Sequence, residues 1–105
     1  MPSFEVNSKP TAKVKVTNPN SFPLVVTLQI GIEVDLKFNA ISDTGTVNVA
    51  ANGESSKSIP TQMPGVAGTY TLLIRATWDG ESGEYDAGTI TVVRTTQDIG
   101  VSISW

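Results

Sequence analysis

The stretch from Leu24 to Phe38 constrains the fold of this chain more than any other feature. Its even positions are all apolar: Leu24, Val26, Leu28, Ile30, Ile32, Val34, Leu36 and Phe38. Its odd positions are polar or small, apart from Val25. Because side chains alternate between the two faces of a strand, this period of two predicts extended chain with one buried face. The stretch therefore predicts a half-buried antiparallel sheet.

This run is too long to form one ordinary strand. Its 15 residues would span about 50 Å at roughly 3.3 Å per residue, and strands rarely exceed about 10 residues. A glycine inside a strand often marks a bulge or a bend. We therefore predict a break at Gly31, between a strand over 24–30 and a second segment over 32–38. The continuous apolar phase allows that second segment to cross into the other sheet.

Shorter alternating stretches predict the remaining strands. They lie around residues 4–6 and at 11–17, 46–50, 56–63, 69–78, 84–94 and 99–105. Turn-forming residues separate them at 18–23 and 79–83, Asn52-Gly53 is a hairpin signal, and the apolar phase slips at Gly88, which predicts a β-bulge. No helical period is present. Seven or eight short strands in 105 residues predict a single all-β domain over 1–105, an Ig-like sandwich of two antiparallel sheets.

The composition excludes several classes of function. The chain has no cysteine and no histidine, so it lacks disulfides, the commonest general base and the commonest metal ligand. A net charge of −3 disfavours nucleic-acid binding, and Lys9, Lys13 and Lys15 are interpreted as a solvated surface. No run of about 18 apolar residues is present, which argues against membrane insertion. Residues 1–5 lack the features of a secretory signal, so we expect either a chain that is not exported by that route or an excised domain.

Two segments resemble a known family of sandwich domains. They are AKVKVTNPNSFPLVVTLQIGI and AANGESSKSIPTQMPGVAGTYTLLIRATWDG. The order of strand, Asn-rich turn, strand, polar strand and then Gly68-Thr69-Tyr70 resembles the immunoglobulin-like modules of the CARDB type. Those modules are similar to fibronectin type III domains and recur in bacterial and archaeal surface proteins. The Asn-Pro-Asn turn is also similar to late-embryogenesis-abundant type 2 sandwiches. The resemblance covers residues 11–94 and implies no catalytic residue and no cofactor.

Carboxylates provide the candidate sites for acid–base chemistry and for metal binding. Glu33 and Asp35 are two residues apart, hence on one face of a strand, where we interpret them as solvent-exposed rather than catalytic. Four further acidic residues surround the predicted 79–83 hairpin loop: Asp79, Glu81, Glu84 and Asp86. Their spacing does not match an EF-hand, but several carboxylates on a hairpin could bind Ca²⁺. The alternative is a solubilising acidic loop.

The aromatic residues provide the candidate interaction sites. Tyr70, Trp78 and Tyr85 fall on inward phases and are predicted to lie in the core rather than to form a ligand platform. Phe22 is predicted to plug one end of the core, with an exposed binding aromatic as the alternative. Trp105 could close its own sandwich, or insert into a neighbouring subunit by strand addition.

These observations predict a protein that is not an enzyme. The leading hypothesis is a structural or adhesive module of an extracellular or virion-surface assembly, with a protein partner or self-assembly. One alternative is a soluble binding module that presents the loops 18–23, 63–68 and 79–84 to a protein or glycan. Another is a cytoplasmic stress-related sandwich, which the Asn-Pro-Asn turn suggests and the lack of a visible signal peptide allows. The leading hypothesis rests on analogy between folds, and a fold does not determine function.

Overall fold

The computed structural model describes residues 2–94 and 101–104, which form eight strands and contain no helix. The strands are β1 (Ser3–Glu5), β2 (Thr11–Thr17), β3 (Leu24–Val34), β4 (Lys37–Ala40), β5 (Gly45–Val49), β6 (Glu54–Pro60), β7 (Gly68–Trp78) and β8 (Glu81–Val93). Six of them form one sheet in the order β1-β8-β7-β3-β4, in which β5 also pairs with β3. The other two, β2 and β6, form a second sheet. Every pairing is antiparallel except that of β1 with β8, and the prediction of an all-β sandwich is confirmed.

The core lies between the two sheets, and β3 supplies its largest share. Five even residues of β3 are buried: Leu24, Val26, Leu28, Ile30 and Ile32. The inward residues of β5, Val47 and Val49, are also buried, as are Val14 of β2 and Ile59 of β6. The alternation that is visible in the sequence is therefore the alternation of buried and exposed faces.

The predicted break at Gly31 is wrong, because β3 continues through this residue to Val34. The chain reverses instead at Asp35 and Leu36, which have φ angles of 52° and 62°. Two consecutive residues in the left-handed region form the tight turn that suits a two-residue hairpin. A leucine is unusual there, since this turn favours Asn or Gly, and Leu36 is 90% exposed. Asp35-Leu36 lacks the Asn-Gly or Asp-Gly pair that usually marks such a turn, so the alternation does not predict the reversal.

Gly31 allows a close approach between neighbouring side chains rather than a bend. Phe38 pairs with Glu33 across the β3–β4 hairpin, so its ring lies on the outer face of the sheet and not in the core. A Cβ added at Gly31 would lie 2.6 Å from that ring and 2.7 Å from the carbonyl oxygen of Asn39. The guanidinium of Arg75 stacks on the same ring, 4.0 Å from its centre. The glycine therefore makes room for an aromatic ring on the outer surface.

The Asn52-Gly53 pair does not close a hairpin. It follows β5, which pairs with β3, and precedes β6, which pairs with β2. The turn therefore carries the chain from the large sheet to the small one. Asn52 has a φ of 55°, so the residue preference of a tight turn was identified correctly, but not the strands that the turn connects.

The β7–β8 hairpin has longer paired strands and a shorter turn than predicted. Its turn consists of Asp79 and Gly80, both with positive φ, and β8 already begins at Glu81. The register between the strands shifts after Thr71, which pairs with Thr89, whereas Leu73 pairs with Asp86. Gly88 lies at this shift with a φ of 98°, and the predicted β-bulge is confirmed.

The final predicted strand is not formed by the described residues 101–104. They have no assigned secondary structure, and Val101 and Ile103 are 86% and 78% exposed. Ile99 and Trp105, which complete the predicted strand, lie outside the described residues.

Candidate functional site: an apolar groove between the sheets

The two sheets differ in width, and this difference exposes part of the core. The small sheet has two strands where the large one has six. On one side it lies against β5: the Oγ of Ser55 donates a hydrogen bond to the Asn48 carbonyl oxygen at 3.1 Å, and a Cβ at Gly45 would touch Ile59 at 3.5 Å. This side of the sandwich is closed. On the opposite side the small sheet ends at β2, which pairs only with β6 within residues 2–94 and 101–104.

An apolar groove of about 450 Å³ opens beside β2. Its apolar lining comes from four strands: Val14 and Val16 of β2, Leu24, Val26 and Leu28 of β3, Ile74, Ala76 and Trp78 of β7, and Tyr85 of β8. Lys15, Thr17, Pro19 and Asn20 complete the lining. This volume falls within the range of about 300–1,000 Å³ that is usual for binding sites.

The floor of the groove contains two aromatic side chains on neighbouring strands. Tyr85 pairs with Ile74 and therefore shares the inner face with it. The Tyr85 ring lies along β8 over Gly83, where an added Cβ would meet its hydroxyl oxygen at 3.1 Å. Trp78 is partly buried, and its side chain packs against the main core cluster. Tyr70 and Trp78 pack against the core clusters as predicted, although Trp78 also lines the groove. The prediction that Tyr85 lies in the core is wrong, because this residue is 51% exposed.

Polar chemistry is scarce inside the groove. Within the described part of the chain, no buried side-chain nitrogen or oxygen lacks a hydrogen-bond partner. Lys15 is directed to Glu54 of β6, with its Nζ 3.1 Å from the carboxylate oxygen. The surface that the groove offers to a ligand is therefore mainly hydrocarbon and aromatic.

Asn18 fixes the loop that closes one end of the groove. Its side chain is only 1% exposed, and its Nδ2 donates to the carbonyl oxygens of Phe22 at 2.8 Å and Ala50 at 3.2 Å. Its Oδ1 accepts hydrogen bonds from both the main-chain and the side-chain nitrogen of Asn20, each at 3.0 Å. Its main-chain N–H donates to the Gly53 carbonyl oxygen at 2.8 Å. One buried amide thus connects the 18–23 loop to the turn between the sheets, a role that the Asn-Pro-Asn signal did not reveal.

The three candidate binding loops do not lie together. Thr27 of β3 pairs with Thr77 of β7, so the 18–23 loop and the Asp79-Gly80 turn lie at the same end of the sandwich. The 63–68 loop precedes β7 and lies at the other end. It is held there by the Tyr70 hydroxyl, which donates to the Val66 carbonyl oxygen at 2.6 Å. A surface that combines all three loops is therefore not formed.

Phe22 lies in the loop that borders the groove. It is 51% exposed, so it does not form a buried plug at the end of the core. Its role as an interaction residue stays a prediction. Trp105, the other interaction candidate, lies outside the described residues.

The candidate calcium ligands are divided between the two faces of the hairpin. Glu81 pairs with Trp78 and shares its inner face, whereas Glu84 pairs with Arg75 on the outer face. The Oε2 of Glu84 lies 3.8 Å from the Nη2 of Arg75. The Oδ1 of Asp86 accepts a hydrogen bond from the main-chain N–H of Gly88 at 2.7 Å. Among the described residues, no group of three or more His, Cys, Asp or Glu side chains is arranged to hold a metal ion.

The other predicted acidic pair is also separated. Glu33 lies on the exposed outer face of β3, whereas Asp35 lies in the β3–β4 turn. The two carboxylates do not face a common cleft.

The described residues also contain no helix that could span a membrane.

Sequence comparison yields no relative, since no family profile and no curated protein matches this chain. Solved structures that superpose on this chain include the following three. A family 123 glycoside hydrolase from Clostridium perfringens superposes with a TM-score of 0.59 at 17% identity over 91% of this chain, which spans only 23% of that protein. The CsuC–CsuE chaperone–tip adhesion subunit pre-assembly complex of Acinetobacter baumannii gives a TM-score of 0.46 at 16% identity, covering 89% of this chain and 48% of that one. WR4, an MSP family member from C. elegans, gives 0.40 at 12% identity, covering 90% and 93%.

These likenesses concern the fold alone. The first of them shows a shared fold with part of that protein and gives no information about activity, because this chain spans about a quarter of the hydrolase.

Proposed function

We propose that this protein is a non-catalytic assembly module that binds an extended, apolar segment of another protein chain in the groove beside β2. The observation that carries the proposal is the open side of the sandwich. There the floor of the core, with Tyr85 half exposed, lies next to a strand edge that has no partner within the described residues. An added strand would satisfy the main-chain groups of β2 through hydrogen bonds and cover the floor with alternate side chains.

The proposal also includes a location for the module, on an extracellular or virion surface. A composition rich in Thr, Ser, Asn and Gly, without cysteine or histidine, is typical of surface and capsid-decoration modules, and this analogy supports an extracellular or virion-surface assembly. The resemblance to CARDB-type and fibronectin type III-like modules supports the same setting. The apolar lining of the groove supports a protein segment as ligand more than a glycan, which needs many hydrogen-bonding groups.

A binding module that uses its end loops is the second candidate. It is favoured by the exposure of Phe22 in the 18–23 loop, at the same end as the Asp79-Gly80 turn. Replacement of Phe22 by Ser would then abolish binding of a partner while the groove stays intact.

Nuclear magnetic resonance with a peptide panel tests the main proposal. The panel contains heptapeptides that alternate Val, Ile or Phe with Ser or Thr, and scrambled versions of each. We expect the alternating peptides to shift the amide signals of residues 14–17 and the indole N–H signal of Trp78 in the ¹⁵N-labelled protein. The Tyr85→Lys variant should lose this response, because a charged side chain would enter the groove. The proposal is overturned if no peptide moves these signals at millimolar concentration.

Val25→Lys provides the matched control. Val25 is also a half-exposed apolar residue, 58% exposed, but it lies on the opposite face of β3. The control variant should bind the peptides as the unchanged protein does. Equal loss of binding in both variants would show that charge or stability, and not the groove, controls the response.

A further inference from the structure

The exposed apolar residues near the end of the sequence have a pattern that fits the groove. We propose that residues 101–104 of a second copy of this chain enter the groove as the added strand, an inference that rests on the proposed function and names its partner. Val101 and Ile103 are 86% and 78% exposed, and they alternate with Ser102 and Ser104. Ile99 and Trp105 continue the same phase in the sequence. An extended segment of this kind presents one apolar face and one polar face.

The chemistry of the segment complements the groove. Residues 99–105 contain no charged side chain, so entry into the apolar groove would bury no ionised side chain. Val101 and Ile103 would face Trp78 and Tyr85, while Ser102 would face the solvent. Two exposed apolar surfaces, one on the groove floor and one on the segment, would cover each other.

The position of β8 argues against occupation by the same copy. β8 ends at Val93, beside Gly68, because Val92 pairs with Gly68. Tyr85 lies eight residues earlier in β8, which is about 26 Å back along the strand at roughly 3.3 Å per residue. Trp78 pairs with Glu81, which lies twelve residues before Val93. The position of Trp78 along the strand is therefore about 40 Å from Val93.

The chain between Val93 and Ile103 is too short to bring Ile103 to the level of Trp78, because ten residues span at most about 33 Å. Ile103 follows Val93 by ten residues, and the chain must first reverse and cross the roughly 10 Å that separate packed sheets. If this connection takes about four residues, which is a usual length, six remain. They cover about 20 Å, which is less than the distance to Tyr85 and about half of that to Trp78. A second copy has no such limit.

Each copy therefore carries both a donor segment and an acceptor groove. Contacts between unlike surfaces of identical chains produce rings, open filaments or reciprocally exchanged dimers. The groove of each copy is then filled by its neighbour, and the free edge of β2 is covered.

Light scattering across protein concentration tests the inference with two variants. The double variant Val101→Asp with Ile103→Asp has a disabled donor segment, and Tyr85→Lys has a blocked groove. All three residues are at least half exposed, so at concentrations at which the unchanged protein is monomeric we expect both variants to melt close to it. The unchanged chain should increase in mass with concentration, and each variant should associate at least about 100-fold more weakly, because charge would enter an apolar site.

Mixing the two variants is the decisive experiment. The donor-disabled variant retains an open groove and the groove-blocked variant retains an intact segment, so together they should form a complex with one copy of each. The Val25→Lys variant should assemble as the unchanged chain does. The inference is overturned if the variants assemble as well as the unchanged chain, if the mixture does not associate, or if the unchanged chain stays monomeric at millimolar concentration.

The two proposals fail in distinguishable ways. If the alternating peptides bind the groove while the full chain remains a monomer, the proposed function stands and the second copy is not the partner. If neither the peptides nor a second copy binds, the proposed function also fails. A monomer whose melting temperature falls on Val101→Asp would show docking within one copy, which also overturns the inference.

Discussion

Replacement of Asn18 by Asp isolates the contribution of one buried amide. The change keeps the shape of the side chain but replaces the Nδ2 donor, which lies 2.8 and 3.2 Å from the carbonyl oxygens of Phe22 and Ala50, by an oxygen. The ionised carboxylate would face these oxygens at a site that is 1% exposed. The buried carboxyl can instead take up a proton, which costs about 4 kcal/mol at pH 7 for a group with a reference pKa of about 3.9. The free-energy penalty for burying the ionised form therefore cannot exceed about 4 kcal/mol. A protonated carboxyl can donate to only one of the two carbonyl oxygens, so the loss of the other hydrogen bond adds about 1 kcal/mol.

We therefore expect Asn18→Asp to lower the free energy of unfolding at pH 7 by about 3–5 kcal/mol and the melting temperature by at least about 10 °C. Burial raises the pKa of the introduced carboxyl in the folded state above its unfolded value. The penalty is therefore present at neutral pH and decreases as the pH falls towards the unfolded pKa, by about 1.4 kcal/mol per pH unit. Urea unfolding followed by circular dichroism at pH 7 and pH 5 measures both quantities.

Asn48→Asp is the matched control for that change. The side chain of Asn48 is exposed on strand β5. The same substitution there should therefore change the free energy of unfolding by less than about 0.5 kcal/mol. The reasoning about Asn18 is refuted if the two variants are equally stable, or if the penalty of Asn18→Asp does not decrease between pH 7 and pH 5.

Three further substitutions test particular packing arguments by the same urea titration. Gly31→Ala should cost about 1–3 kcal/mol, because the new Cβ would overlap the Phe38 ring and a main-chain oxygen, and a neutral result would contradict the close approach. Leu36→Gly should be neutral or stabilise by up to about 1 kcal/mol, because it relieves a leucine in the left-handed region, so a clear loss would show that Leu36 is packed. Glu84→Gln should change stability by less than about 0.5 kcal/mol, because its ion pair with Arg75 is nearly half exposed, and a larger loss would show a stronger pair.

The sequence predicted the elements of this fold better than their connections. Alternation identified the strands because burial on one face is a local property of each strand. It could not reveal that the Asn52-Gly53 turn joins two different sheets, since the pairing partner of a strand is set by contacts distant in sequence. The β3–β4 reversal was missed for a different reason: Leu36 adopts a positive φ without the glycine or asparagine that usually signals one.

The candidate site was only partly visible in the sequence. Tyr85 and Trp78 were recognised as inward-facing, but the alternation could not show that the small sheet stops at β2 and leaves Tyr85 half exposed. The acidic hairpin was identified as a cluster in sequence, yet the phase of β8 places Glu81 and Glu84 on opposite faces. The central role of Asn18 was hidden because its partners include a carbonyl group that lies 32 residues away along the chain.

Paramagnetic broadening between two copies tests the central claim most directly. The chain has no cysteine, so Ser102→Cys gives a single site for a spin label on the outward face of the proposed donor strand. Protein without isotope labelling that carries the spin label is mixed with ¹⁵N-labelled protein that carries no spin label. Insertion predicts broadening of the amide signals of Val14 to Thr17 and of the Trp78 indole in the second copy, and no broadening at Val66, which lies in the 63–68 loop at the other end of the sandwich. Equal signal intensities at all these positions, with and without the spin-labelled copy, would contradict the claim.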